Sequence, residues 1–282
     1  MTTRMVSETK ISRRDVMKAG ATLAAGLAFG GGGLSLLTSC GQAGAAAAPT
    51  ATTSAAPSAA AAKAQAQTPP EWPWPYQPLD PKAVAQKAYE GFYEAACMYG
   101  AFNAIISALR EKVGYPYTTI PTQMARYGEG GVVGWATLCG TLNGSAAAIN
   151  LVSKDYSKIV DELMGWYTTA KLPTFEPSQP KVKIQTTSVS GSPLCHVSVT
   201  EWCKASGAKS ESPERAERCA RLAASVAAHA VELLNDYAAG KFAATFSLPA
   251  SISTCGACHL KGGTIENARG KMDCVQCHTP HQ

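Results

Sequence analysis

The chain has 282 residues, of which 46% are hydrophobic and 16% are charged. Five of its 25 Lys and Arg and two of its 20 Asp and Glu lie in residues 1–39, so the remainder carries 20 basic and 18 acidic side chains. This balance gives no support for nucleic-acid binding, in spite of the formal net charge of +5 for the whole chain.

The N-terminus carries an export pattern. Residues 12–18 read Ser-Arg-Arg-Asp-Val-Met-Lys and precede an apolar run over residues 19–37, which resembles a twin-arginine signal. The run is interrupted by glycines at residues 30–33, and its strongly apolar part is shorter than a membrane-spanning helix requires. We therefore predict that residues 1–39 are a signal peptide and that the mature protein is periplasmic.

The end of this signal resembles a bacterial lipoprotein processing site, because residues 37–40 read Leu-Thr-Ser-Cys. This predicts acylation of Cys40, which would hold the protein at a membrane surface without a spanning helix. Cleavage among the small residues 43–48 is the alternative, and it would give a soluble periplasmic protein. Residues 40–70 are mostly small residues and proline with Lys63 as the only charge, which predicts a disordered tether.

Helical patterns dominate residues 71–245. Asp80 and Pro81 begin a predicted helix that runs to about residue 113. Further helices are predicted over residues 135–152, over 154–169 and from Pro213 to about residue 239, and residues 182–189 predict the one convincing strand. The predicted fold is therefore mainly α, with a helical domain over residues 71–245 and a loop-rich segment over 246–282.

Two copies of Cys-x-x-Cys-His lie in this last segment, at residues 255–259 and 274–278. Such a motif attaches haem c, because its two thiols bond to the haem and its histidine ligates the iron. The prediction is two haems c, with the covalent attachments at Cys255, Cys258, Cys274 and Cys277 and the proximal ligands His259 and His278. A zinc site made of the four thiolates is the alternative, and it would leave both histidines without a role.

Three other histidines are candidates for distal haem ligands. His229 lies on an apolar helix face, where a packed core histidine is equally expected. His196 neighbours Cys195, and His281 is too close in sequence to His278 to bind the opposite side of the same haem. Met272 or Met98 is the remaining alternative, and methionine ligation would raise the haem potential.

Five cysteines remain beyond Cys40 and the haem motifs. Four of them follow a family pattern: Cys97 on a first helix, Cys139-Gly140 with Gly144 following, Cys195, and Cys219 near a helix start. The arrangement resembles the redox-active family named for its C, GCAxxG, C, C pattern. With the haem motifs added, residues 71–282 are similar to the split-Soret cytochromes c. Residues 139–144 depart from the pattern by reading Cys-Gly-Thr-Leu-Asn-Gly, and Cys203 is additional.

The resemblance implies a homodimer with two closely stacked haems c per subunit. It also implies an iron–sulfur cluster held by Cys97, Cys139, Cys195 and Cys219. Without the resemblance, these cysteines could equally be disulfides or buried free thiols in an exported protein.

The predicted function is electron transfer rather than catalysis, because six-coordinate haem irons would leave no site for a substrate. Exposed haem edges near residues 255–282 would dock redox partner proteins. Two alternatives stay open: a haem reductase or peroxidase with one open iron, and a thiol–disulfide sensor built on the family cysteines.

Overall fold

The computed structural model describes residues 68–280. The signal peptide, Cys40, most of the tether and His281 lie outside the described residues, so the interpretations of these segments stay predictions. None of the helices within residues 68–280 is long and apolar enough to cross a membrane.

The first helix, α1, spans Pro81–Lys112. Its N-terminus is capped by Asp80, whose side chain accepts a hydrogen bond from the Lys82 backbone N–H at 2.9 Å. Ala95 (φ −155°, ψ 38°) and Ala96 (φ 63°, ψ −166°) break the helical geometry in the middle. The predicted helix is thus confirmed in extent but wrong in continuity, because a left-handed alanine leaves no trace in hydrophobic periodicity.

Two short 3₁₀ helices, Tyr117–Thr119 and Thr122–Gly128, lead from α1 to α2, which spans Gly140–Val152. The predicted start of α2 near Trp135 is wrong, since that residue lies in an exposed loop. Positive φ angles at three residues other than glycine keep the loop out of helical geometry: Val132, Val133 and Ala136.

Helix α3 spans Tyr156–Thr169, close to its prediction. Strand β1, Lys171–Leu172, pairs antiparallel with β2, Ser188–Val189, so that Leu172 faces Ser188. Only the last two residues of the predicted strand 182–189 are therefore a strand.

Helix α4, Cys195–Ser206, carries no hydrophobic stripe strong enough to predict it. Helix α5, Pro213–Ala238, confirms its prediction, and the Ser212 hydroxyl caps it by accepting from the Arg215 N–H at 3.3 Å. The last elements are α6, Ala250–His259, and a 3₁₀ turn, Cys274–Gln276.

The core lies between α1 and α5, which make the most extensive helix contact; α2 packs against both, and α3 packs against α2 and α5. Burial of each large aliphatic side chain stabilises such a core by about 1.5–3 kcal/mol. The mainly α prediction is confirmed. The fully buried aliphatic residues of this core include Ile105, Leu109, Leu142, Ile149, Ile159, Leu163 and Val226.

Candidate metal centre and haem motifs

One cavity of about 620 Å³ is lined by four cysteines that are far apart in sequence. Cys97 directly follows the break in α1, Cys139 is the residue before α2, Cys195 is the first residue of α4, and Cys219 lies in the second turn of α5. The four cysteines predicted as cluster ligands are therefore brought together, while Cys203 is not among the lining residues.

Backbone pairing brings Cys139 and Cys195 together. Leu138 and Leu194, which precede them, form an antiparallel bridge. The Cys139 N–H donates to the Pro193 carbonyl at 2.9 Å, and the Cys195 N–H donates to the Thr137 carbonyl at 2.7 Å. The N-termini of α2 and α4 thus lie at the same cavity, where the helix dipoles favour negative charge.

Glycines bring α2 close to the second half of α1. A Cβ on Gly144 would lie 2.5 Å from the Met98 carbonyl oxygen, and a Cβ on Gly140 would lie 2.6 Å from the Gly128 carbonyl oxygen. Cys97 is buried in this contact, and its thiol donates to the same Gly128 carbonyl at 3.8 Å. The Cys-Gly and following Gly of the sequence pattern are therefore requirements of close packing at the cavity wall.

The cavity thiols are close enough for each to affect the pKa of the others. Burial raises the pKa of Cys97 well above its usual range, and the neighbouring Cys139, Cys219 and Cys195 raise it further. The pKa of Cys195 rises to about 12 for the same reasons, with Arg218 opposing the rise. Without a ligand these two thiols stay protonated at neutral pH, so metal binding would have to release their protons.

The cavity suits a cluster-type metal centre rather than a single metal ion. Within residues 68–280, no group of three or more His, Cys, Asp or Glu side chains converges tightly enough to hold a single ion. The thiols instead surround a large space, and thiolates are the ligands that iron centres of the cluster type prefer. A buried guanidinium, Arg218, also faces this space, and its Nε has no hydrogen-bond partner. Soft donors and an uncompensated positive charge suit an anionic iron–thiolate centre.

The additional cysteine, Cys203, lies on α4 outside the cavity and is partly exposed. Burial raises its pKa, and the nearby Cys219 contributes to the rise. All nine cysteines of the described residues are free, so the disulfide alternative has no pair formed in residues 68–280.

The two haem motifs lie side by side. The first ends α6, and the second begins at the 3₁₀ turn Cys274–Gln276. Partial burial raises the pKa of Cys255, and the nearby Cys274 thiol raises it further, so one cysteine of each motif lies near the other. Ser251 joins the motifs, because its hydroxyl donates to Asp273 at 2.7 Å and accepts from the Cys274 N–H at 3.0 Å.

The second motif is also attached to the helical domain. The Gln276 amide donates to the Gly191 carbonyl at 2.6 Å, four residues before Cys195. Lys271 pairs with Asp161 of α3 at 2.6 Å. This segment therefore docks beside the loop that leads to the cysteine cavity.

The predicted distal ligands lie in different surroundings. His229 stacks on Trp166 with ring centroids 4.1 Å apart, and its Nδ1 lies 3.0 Å from Glu232. His196 lines the cysteine cavity. Among the methionine alternatives, Met98 is buried in the helical core and Met272 is half-exposed in the haem segment.

Comparison with known proteins identifies the family. Residues 99–233 match the family model described as "Putative redox-active protein (C_GCAxxG_C_C)". The split-Soret cytochrome c of Desulfovibrio desulfuricans is 41% identical over 211 residues, which is 71% of this chain and 76% of the relative. This chain belongs to the split-Soret cytochrome c family.

A solved structure from that family agrees with the fold. It is the structure of the split-Soret cytochrome c from Desulfovibrio desulfuricans, reported with a novel iron centre. Its sequence is 40% identical to this chain, and the two folds superpose with a TM-score of 0.69. The match covers 74% of this chain and 91% of the solved one. The family resemblance expected from the cysteine pattern is confirmed.

The cofactor prediction needs correction. The prediction of two haems c and an iron–sulfur cluster is wrong as stated, because the solved split-Soret cytochrome c is described as having a novel iron centre. The description is broader than an iron–sulfur cluster, and it gives no count of haems.

Sequence reasoning missed two residues of the cavity wall, Arg218 and Ser198, and the tyrosine hydrogen-bonded to Ser198. Arg218, Ser198 and Tyr167 form a buried polar group beside Cys139 and Cys219. The only signal in the sequence is that Arg218 directly precedes a family cysteine on an amphipathic helix, where an inward-facing arginine is unusual.

Proposed function

We propose that this protein is an electron-transfer cytochrome c in which covalently attached haem and an iron centre exchange electrons. The observation that carries the proposal is the convergence of Cys97, Cys139, Cys195 and Cys219 on one cavity in a chain that also has Cys-x-x-Cys-His motifs. The family's solved iron centre supports it. When bound, these groups would supply one-electron chemistry.

The residues of the motifs would attach and orient haem. Thioether bonds would form at Cys255, Cys258, Cys274 and Cys277, and His259 and His278 would supply the proximal nitrogens. The Nδ1 of His259 lies 2.8 Å from the Asn267 side-chain oxygen, which suits the second-shell contact that commonly orients a haem histidine.

His229 is the distal ligand that the contacts favour. Glu232 engages its Nδ1, which leaves Nε2 for iron, and Trp166 fixes the plane of its ring. Gly165 beside this tryptophan packs on Phe246, at the start of the haem segment. His196 and His281 stay second choices, because the first lines the cysteine cavity and the second directly follows a haem motif.

Location and assembly are part of the same proposal. The twin-arginine pattern and Cys40 support export to the periplasm and a lipid anchor at the membrane surface. The exposure of Cys258, Cys277 and His278 favours docking of redox partner proteins around the motifs. A homodimer is expected, and sedimentation of the haem-loaded protein tests it, since a monomer would remove this part of the proposal.

Iron counting tests the centre. Total iron in the exported protein is expected to exceed haem iron measured as pyridine haemochrome. Cys139→Ser or Cys195→Ser should abolish that excess, whereas the matched control Cys203→Ser, outside the cavity, should keep it. Iron equal to haem iron in the native protein would overturn the iron centre.

Haem chemistry tests electron transfer against catalysis. The haem content per chain should fall when the cysteines of either motif are replaced by alanine. The dithionite-reduced protein should not bind carbon monoxide rapidly, because six-coordinate iron has no free position. Rapid binding would instead support the reductase or peroxidase alternative.

A further inference from the structure

Arg218 is a buried charge without a carboxylate partner. The residue is 1% exposed, and within residues 68–280 it forms no ion pair with Asp or Glu. A buried cation is costly unless an opposite charge compensates it. The compensation must therefore come from another kind of group.

The next arginine along the same face of α5 shows the ordinary solution. Arg221 is also buried, and it pairs with Glu217 at 2.8 Å and with Glu176 at 2.9 Å. One turn of helix thus holds two buried guanidinium groups, of which one faces carboxylates and the other faces the cysteine cavity.

Arg218 contacts one cavity thiol directly and is connected to a second one through Ser198 and Tyr167. Its Nη1 donates to the Cys219 Sγ at 3.9 Å, and its Nη2 donates to the Ser198 hydroxyl at 2.8 Å. The same hydroxyl accepts from Tyr167 at 2.7 Å, and Tyr167 lies near Cys139, which raises the pKa of the tyrosine. The Nε remains without a partner.

We infer that Arg218 is the counter-charge of the iron centre and raises its reduction potential. The inference rests on the proposed function, because it requires iron bound by the cavity cysteines. Reduction adds one electron, taken from reduced haem or from an external one-electron donor, and makes the centre more negative by one charge. Arg218 stays protonated, so no proton moves, and its fixed positive charge stabilises the reduced state more than the oxidised state.

Potentiometric titration of the iron-loaded protein tests this role. Arg218→Gln removes the charge and is expected to lower the ratio of reduced to oxidised centre at least tenfold at a given potential, which is 59 mV for one electron. Arg218→Lys keeps the charge and should change the ratio less than threefold. Arg215→Gln is the matched control, since Arg215 also lines the cavity but already pairs with Glu211.

The outcomes separate the inference from the proposed function. Excess iron in the native protein with an unchanged potential in Arg218→Gln would overturn the inference alone. Native protein without excess iron would overturn the proposed function. If Arg218→Gln fails to fold or to hold iron, retention of iron at the native potential in Arg218→Lys supports the charge role, and equal loss in both variants contradicts it.

Discussion

Gly140 lies so close to Cys97 that a Cβ at position 140 would be 2.4 Å from the Cys97 Sγ. The same atom would lie 2.9 Å from the Met98 backbone nitrogen, which belongs to α1 and cannot rotate away. The glycine after Cys139 therefore determines how near two of the candidate iron ligands come to each other.

Gly140→Ala is accordingly expected to displace α2 from α1, to lower the free energy of unfolding by about 1–3 kcal/mol and to remove the non-haem iron. Iron analysis and urea unfolding measure the two effects. Gly207→Ala is the control, because Gly207 has φ 73° but no atom within 4 Å of its position for a Cβ. That variant should be strained by about 1 kcal/mol and should keep its iron.

The buried carboxylate of Glu217 predicts acid sensitivity. Burial alone would raise its pKa, but hydrogen bonds from Tyr93, Arg221 and Tyr89 outweigh burial and lower the pKa below the ordinary value of 4.5. A group with a lowered folded-state pKa contributes stability above its unfolded pKa and loses it as pH falls through the folded value. The free energy of unfolding should therefore decrease as pH falls below about 4.5.

Glu217→Gln should flatten this acid dependence and destabilise the protein at pH 7 by about 3 kcal/mol, because it leaves the buried Arg221 with one partner. Urea unfolding between pH 3 and 7 measures both. In the matched variant Glu176→Gln, the lost partner has a side chain that is 79% exposed, so a cost below about 1 kcal/mol is expected. Equal destabilisation by the two variants would contradict the argument.

Local signals predicted the helices with clear caps and failed where the backbone is set by distant contacts. Asp80-Pro81 and Ser212-Pro213 correctly begin α1 and α5. Helix α4 was missed because its start is fixed by the bridge between Leu138 and Leu194, which no periodicity reveals. The left-handed Ala96 has the same origin, since packing and not alanine preference holds it there.

The candidate site is likewise predictable from the sequence only in part. The haem motifs are visible because their chemistry requires a fixed spacing, and the four cavity cysteines were recognised through a family pattern. Their convergence depends on four separate elements, which a single sequence does not place in space. Arg218 is not predicted because its importance lies in the lack of a carboxylate ion pair among the described residues, which only the folded protein shows.

The proximity of Cys255 and Cys274 predicts a disulfide in the protein that lacks haem. The two thiols are close enough for each to affect the other electrostatically, and Ser251 and Asp273 hold their two segments together. Mild oxidation with diamide, which takes two electrons and two protons from the thiols, should join Cys255 to Cys274 in preference to joining either to Cys258 or Cys277. Peptide mapping by mass spectrometry identifies the pair, and a random distribution of disulfides would refute this proximity.

The last prediction concerns His229 as a distal haem ligand. Replacement by alanine should convert one haem from low spin to high spin, because Trp166 offers no ligand atom and the Glu232 carboxylate would be too weak a ligand to keep the iron low-spin. Optical spectra and carbon monoxide binding by the reduced protein measure the change. His196→Ala is the matched control: its side chain lines the cysteine cavity, so the haem spectrum should stay native. A native haem spectrum in His229→Ala would remove His229 from the ligand set, and the stacked pair of His229 and Trp166 would then be a packing contact between α5 and α3.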